Sequence, residues 1–169
     1  AYSSIGQVGY IIFALGSSLL AWNSSWPLAK SLAGVIFIGA VYHSLNHGIF
    51  KSLLFLLGGN LLYATGTRDL NRLGGLLAVM PVSGFLAALA SYSISGMPAS
   101  SGFVSKWLMI SSNFLAGRDS LLLTLAGIVA LFTAAFTLAC YVKFFGLAFT
   151  SAGARWKVKS EIKEVPWRL

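Results

Sequence analysis

The chain is 169 residues long with a net charge of +8, is 57% hydrophobic, and has only 9% charged residues. At a mean hydropathy of +0.80 it cannot build a water-soluble surface, for which about a quarter of residues are charged. Nucleic-acid binding is excluded as well, because five of the twelve basic residues crowd into the last fifteen positions and the positive sign is a local feature of a tail.

The composition predicts an all-α integral membrane protein: lipid admits only helices or closed barrels, and these runs lack the alternation of barrel strands. Five apolar segments follow in order. The first spans about Ile5 to Ala21 and ends at the turn cluster NSSWP. The second spans about Leu32 to Tyr63 and ends at GTRDLNR; Gly48 alone is a weak turn signal, so the run is read as one helix. The third, about Leu73 to Ile94, ends at SGMPASSG, and the fourth, about Phe103 to Ala116, is short for a crossing. The fifth spans about Leu121 to Phe149. A crossing needs roughly 20 apolar residues, so the second and fifth must tilt or protrude. Residues 1–149 form a transmembrane bundle and residues 150–169 a basic tail. Gly34, Gly39, Gly58, Gly59, Gly84 and Gly127 fall inside helices, where small residues let neighbours approach. Cys140 stands alone in an apolar run, so it is a packing residue and forms no disulfide within the chain.

Five separate spans place the 22–30 loop, the 97–100 loop and the tail on one side, with Lys30, Arg155, Lys157, Lys159, Lys163 and Arg168. Arg68, Arg72 and Arg118 fall on the other. The excess positive charge predicts a cytoplasmic tail and an N-terminus outside. Trp156 and Trp167 among the tail's basic residues fit two placements, at the lipid headgroups or docked on a partner subunit.

The stretch HSLNHGIFK puts His43, His47 and Lys51 inside the second segment at steps of four. Each step advances about 40° around a helix, so the three share one stripe, bordered by Asn46 and climbing about 12 Å. A lysine at the bilayer centre costs roughly 2.5–3.5 kcal/mol, and such residues face a bundle interior or a wet cavity. Imidazoles and an amine in a ladder can each accept and donate a proton, so the stripe points to proton transfer. The H-x-x-x-H spacing also suits zinc, but it lacks the glutamate of H-E-x-x-H, no span carries a carboxylate, and Lys51 opposes a dication; no metal is expected.

The second candidate is SGMPASSGFVSKW, residues 95–107. Gly96, Pro98 and Gly102 break the helix, Ser100, Ser101 and Ser105 offer hydroxyls to freed backbone groups, and Lys106 follows. Two readings stand: irregular backbone lining an ion path, or an ordinary loop with Lys106 reaching to the interface. The four acids are Asp69, Asp119, Glu161 and Glu164, all outside the spans. Lys51 and Lys106 therefore have no carboxylate partner within the spans, and desolvation disfavours an uncompensated ammonium. A counter-charge from another chain is expected.

In AYSSIGQVGY, HSLNHGIFKSLLFLLGG, TGTRDLNRLGGL and SGMPASSGFVSKW, in this order and spacing, residues 1–149 resemble the antiporter-like proton-pumping membrane subunits. These include the membrane-arm subunits of respiratory complex I, Mrp-type sodium/proton antiporters and the membrane subunits of energy-converting hydrogenases. The motifs are specific for the superfamily and poorly specific within it. The resemblance implies the second of two inverted five-helix repeats: five transmembrane helices, the ninth to thirteenth, forming one half-channel with one broken helix. It implies that Lys51 is the central lysine of a proton path, that His43 and His47 connect it toward the first half-channel, and that Lys106 leads to the exit. It further implies other membrane subunits or a missing first half, one supplying the first repeat and an intramembrane carboxylate. The chain opens without methionine and without a signal peptide, in keeping with such a piece. Peripheral redox subunits and lipid are the remaining partners; no nucleotide-binding glycine pattern, cysteine cluster or haem ligand set is present, so no cofactor is expected in this chain. The function expected is proton translocation in a redox-driven complex of an energy-converting membrane; the alternatives are part of a stand-alone sodium/proton antiporter, or a structural spacer.

Overall fold

The computed structural model describes residues 2–118, 120–151 and 162–166. They form five helices: α1 (Tyr2–Trp22), α2 (Pro27–Thr65), α3 (Pro81–Ser95), α4 (Ser101–Ala116) and α5 (Leu121–Phe145). No strand occurs among the described residues. α1, α2 and α5 with its following turn are long and apolar enough to cross a membrane. The expected all-α membrane architecture is thus what the chain adopts.

The second segment is one uninterrupted helix of 39 residues, about 58 Å long. Pro27 opens it, where a missing N–H costs nothing. Gly66 closes it in the left-handed region at φ 68°, its N–H bonded to Leu62 O. The third helix starts later than the apolar run that begins near Leu73. Short 3-10 turns at Leu70–Arg72 and Leu76–Ala78 flank Gly75, which takes φ 63°, and Pro81 then begins α3. α5 runs into a single π turn, Gly146–Thr150, closed by Ser151 N on Gly146 O at 2.8 Å.

α3 and α4 have 15 and 16 residues, about 22–24 Å each and shorter than the roughly 30 Å hydrocarbon layer. They lie in tandem along α2. α4 runs antiparallel to its first half: Gly39 meets Met109, His43 bonds Ser105, and Asn46 Nδ2 donates to Ser101 O. Phe50 clusters with Ile94, and Leu57 and Leu61 with Ala87 and Ala90 of α3. α1 returns along the first half of α2, with Ser18 Oγ donating to Ala33 O. α5 runs parallel to α2: Leu123 joins the cluster of Ala33 and Ile36, Tyr141 that of Phe50, and Phe149 that of Leu57.

The tandem overturns the sidedness drawn from five separate spans. Glu164 bonds the first turn of α3, so the tail shares an end with the 66–80 loop and not with the 97–100 stretch, which sits midway along α2. At the other end Arg118 lies over the Trp26 ring, 5.9 Å from its centroid. α1 begins on the tail's half, where Ser3 Oγ meets Tyr141 OH at 2.7 Å. The expected placements of Arg155, Trp156, Lys157, Lys159, Trp167 and Arg168 lie outside the described residues.

Candidate functional site

Three helices, α1, α2 and α4, converge on His43. Its ring is fully buried, with Nδ1 2.9 Å from Ser105 Oγ of α4 and Nε2 3.0 Å from Gln7 Oε1 of α1. Tyr10 and Phe50 wall the ring at centroid distances of 5.7 and 6.3 Å. Tyr10 in turn is tied to α5, its hydroxyl donating to Ala130 O. With both nitrogens of His43 engaged, the H-x-x-x-H pair does not present a shared open face to an ion.

The stripe turns as it climbs. Steps of about 40° carry His47 and Lys51 away from the α1–α4 seam, and both are only half-buried. The His47 ring packs 5.9 Å from Phe50, and its buried Nε2 makes no hydrogen bond among the described residues. Lys51 Nζ stands over the Phe55 ring, 5.1 Å from its centroid.

Between α3 and α4 the backbone leaves the helix over Gly96–Ser100. Gly96 is left-handed at φ 76°. Gly96 N bonds Ser93 O at 3.1 Å and Met97 N bonds Tyr92 O at 3.3 Å, the pair of contacts that closes a helix on a left-handed glycine. Two end carbonyls, Ile94 and Ser95, lie outside that closure. Lys106 Nζ donates to Ile94 O at 2.8 Å, its side chain running past Gly96, where an added Cβ would stand 2.9 Å from Lys106 Cδ. Pro98 sits in the turn, its carbonyl accepting from the Tyr92 hydroxyl. Ala99 is held at φ 67°, and Ser100 restarts the chain as N-cap, accepting from Phe103 N at 3.1 Å. Gly102 corrects the expectation that it breaks the helix: it is the second residue of α4, and its missing side chain admits the Ser93 carbonyl. Ser105 is buried in α4, so of the three serines only Ser100 caps the break.

Lys106 is 3% exposed, which removes the reading in which it reaches to the interface. Its ammonium is compensated by a helix C-terminus, the negative end of the peptide dipoles. Nζ also lies 5.2 Å from the Tyr10 ring centroid. The break therefore brings Lys106 and His43 against the same Tyr10 ring, while His47 and Lys51 stand apart.

The hydrogen bonds around His43 can follow a proton. Ser105 Oγ is within reach of both His43 Nδ1 and Gly102 O, the latter at 3.1 Å, but has one hydrogen to give. With both ring nitrogens protonated, His43 donates to Gln7 and Ser105, and Ser105 passes its hydrogen to Gly102. With Nδ1 bare, the hydroxyl turns to His43. Either state leaves the ring satisfied, the property a relay needs.

Sequence reasoning missed Gln7, Tyr10 and Asn113. Gln7 carried a legible signal, an amide inside an apolar span. Asn113 is fully buried in α4, Nδ2 donating to Met109 O at 2.8 Å and Oδ1 without a partner among the described residues. Tyr10 carried no signal beyond its place in AYSSIGQVGY.

A profile described as "NADH:quinone oxidoreductase/Mrp antiporter, TM" matches residues 1–137. The chain belongs to this family. Antiporter-family relatives include "Na(+)/H(+) antiporter subunit A1" of Staphylococcus aureus strains MRSA252 and Newman, each 35% identical over 121 residues. The match takes in 72% of this chain, and the chain spans 15% of the length of those relatives. Antiporter-like membrane character, stated above from motifs, is thereby established for the family to which the helices belong.

Proposed function

We propose that the chain moves protons within the membrane as part of an antiporter-like subunit, with Lys106, His43 and their hydroxyl and amide partners as one cluster and Lys51 and His47 as the approach to it. One observation carries this reading: a buried ammonium is held at a helix break, and a buried histidine, hydrogen-bonded at both ring nitrogens, stands against the same aromatic ring. In a span such groups are costly, and packing alone does not call for them. Their conjunction argues against a spacer.

A sodium/proton antiporter is the finer reading that the named relatives support, since the Staphylococcus aureus proteins are sodium/proton antiporter subunits. A redox-driven complex is the second, supported by the family description, which spans both; redox chemistry would then sit on peripheral subunits. Half-buried Lys51 and His47 Nε2, which has no partner among the described residues, favour a neighbouring membrane subunit that covers this face and supplies a carboxylate. With α3 and α4 in tandem, Arg68, Arg72, Lys143 and the tail's Lys163 fall toward one end, against Lys30 and Arg118 at the other. That bias supports a cytoplasmic tail, now with the start of α1 on the same side.

The test is Lys106→Met and His43→Ala in the whole subunit, assembled with its partners in vesicles. Loss of proton movement at unchanged assembly supports the reading; wild-type movement in both defeats it. Proton movement driven by a sodium gradient without an electron donor selects the antiporter, and movement that needs a donor selects the redox-driven complex.

A further inference from the structure

α3 has no capping side chain of its own: Met80 stands at its N-cap and Pro81 follows. The N–H groups of Val82 and Ser83 would be left without partners inside the helix. Glu164, from the tail, takes both. Val82 N donates to Oε2 at 3.1 Å, Ser83 N to Oε1 at 3.1 Å, and the Ser83 hydroxyl to Oε1 as well. Ile162 packs beside it against the cluster of Leu57, Leu61 and Phe149. At the opposite end of the same helix, Ile94 O holds Lys106. α3 is thus a rod of about 22 Å with a carboxylate on its positive end and an ammonium on its negative end, both favourable for the peptide dipoles.

Little between the ends fixes the rod along its axis. The buried face of α3 is Ser83, Gly84, Ala87, Ala90, Ser91, Ile94 and Ser95. All but Ile94, which sits at the Lys106 end, are small; small side chains make shallow ridges, and ridges set into grooves are what oppose sliding of one helix on another. The contacts at the two ends then decide the axial register. A shift of under one ångström takes the 2.8 Å bond from Ile94 O to Lys106 past the distance at which a hydrogen bond counts.

We infer that Glu164 is a positioning residue for Lys106: by clasping the first turn of α3 it fixes where the Ile94 carbonyl stands, and with it the acceptor of the buried ammonium. This rests on the reading of Lys106 as a transport group.

The experiment uses the assembled subunit with Glu164→Gln, alone and combined with Val82→Asp. The second change returns a carboxylate to the first turn of α3 without the tail, at a side chain that is 59% exposed. Two readouts are taken: proton movement in vesicles, and acylation of Lys106 by a membrane-permeant reagent, followed by peptide mass spectrometry. Acylation reports on the amine without turnover. Glu164→Gln is expected to raise acylation and slow proton movement by about threefold each, and the added aspartate to bring both back toward wild type. Unchanged acylation and movement in Glu164→Gln overturn the inference. Changes that Val82→Asp leaves uncorrected overturn it too, because the tail is then only holding the fold. Lys106→Met separates the two claims. Wild-type movement in that variant defeats the role of Lys106, with acylation still testing the clasp in the unmodified background. An inactive Lys106→Met beside a wild-type Glu164→Gln defeats the clasp alone.

Discussion

Gly102→Ala perturbs the break at its tightest point. A Cβ there would overlap the Ser93 carbonyl oxygen and stand 2.9 Å from the carbonyl carbon, with Phe50 Cε1 at 3.7 Å beyond. The obstacle is backbone, so no side chain can swing clear. If α3 holds its place, the overlap is an overpacking cost of about 1–3 kcal/mol. If the end of α3 withdraws by about an ångström, Ile94 O moves with it and leaves Lys106 Nζ, now 2.8 Å away, beyond bonding distance; a bond to a charged group is worth about 1.5–3 kcal/mol. By either route the cost is at least about 1 kcal/mol, and the second acts on the amine itself. Each 1.4 kcal/mol is about tenfold in a population, so proton movement is expected to fall about tenfold and the subunit to lose stability. Gly58→Ala is the control, since a Cβ at Gly58 meets nothing within 4 Å, and it should leave both unchanged. The assay is proton movement in vesicles at matched subunit content, with thermal stability in detergent beside it. A Gly102→Ala subunit that moves protons and melts like Gly58→Ala would refute the account of the break.

Ser105→Ala removes the hydroxyl between His43 Nδ1 and Gly102 O. Proton movement should slow, less than in His43→Ala, and stability should fall by about 1 kcal/mol. Gln7→Leu strips the partner from His43 Nε2; a buried polar group left alone costs about 1–3 kcal/mol, and the midpoint of denaturant unfolding should drop, whereas Gln7→Glu should not reproduce that drop. Tyr10→Phe deletes the bond to Ala130 O but keeps the ring beside His43 and Lys106. Stability measured in detergent should fall by about 1 kcal/mol, with transport per assembled subunit kept; a transport loss larger than the stability loss would give the hydroxyl a part in the path.

The sequence by itself determined the class of molecule and much of its wiring. Low charge and long apolar runs leave helices in lipid as the solution, and the run around His43 reads as one helix, because it holds no proline after Pro27 and Gly48 alone is a weak turn signal. The start of α3 was legible too, in Pro81, though the apolar run before it drew the expected boundary toward Leu73. Helical periodicity placed His43, His47 and Lys51 on one stripe, but periodicity describes a helix alone. Which part of the stripe is walled by α1 and α4, and which is left half-open, depends on where neighbours cross, and that separated His43 from Lys51. The tandem of α3 and α4 was likewise decided by tertiary packing: each helix is too short to span alone, and α2 is long enough to carry both. The acceptor of Lys106 had no sequence signal at all. It is a backbone carbonyl, present at every residue, and only the turn at Gly96 and the close approach at Gly102 leave this one free and facing the amine.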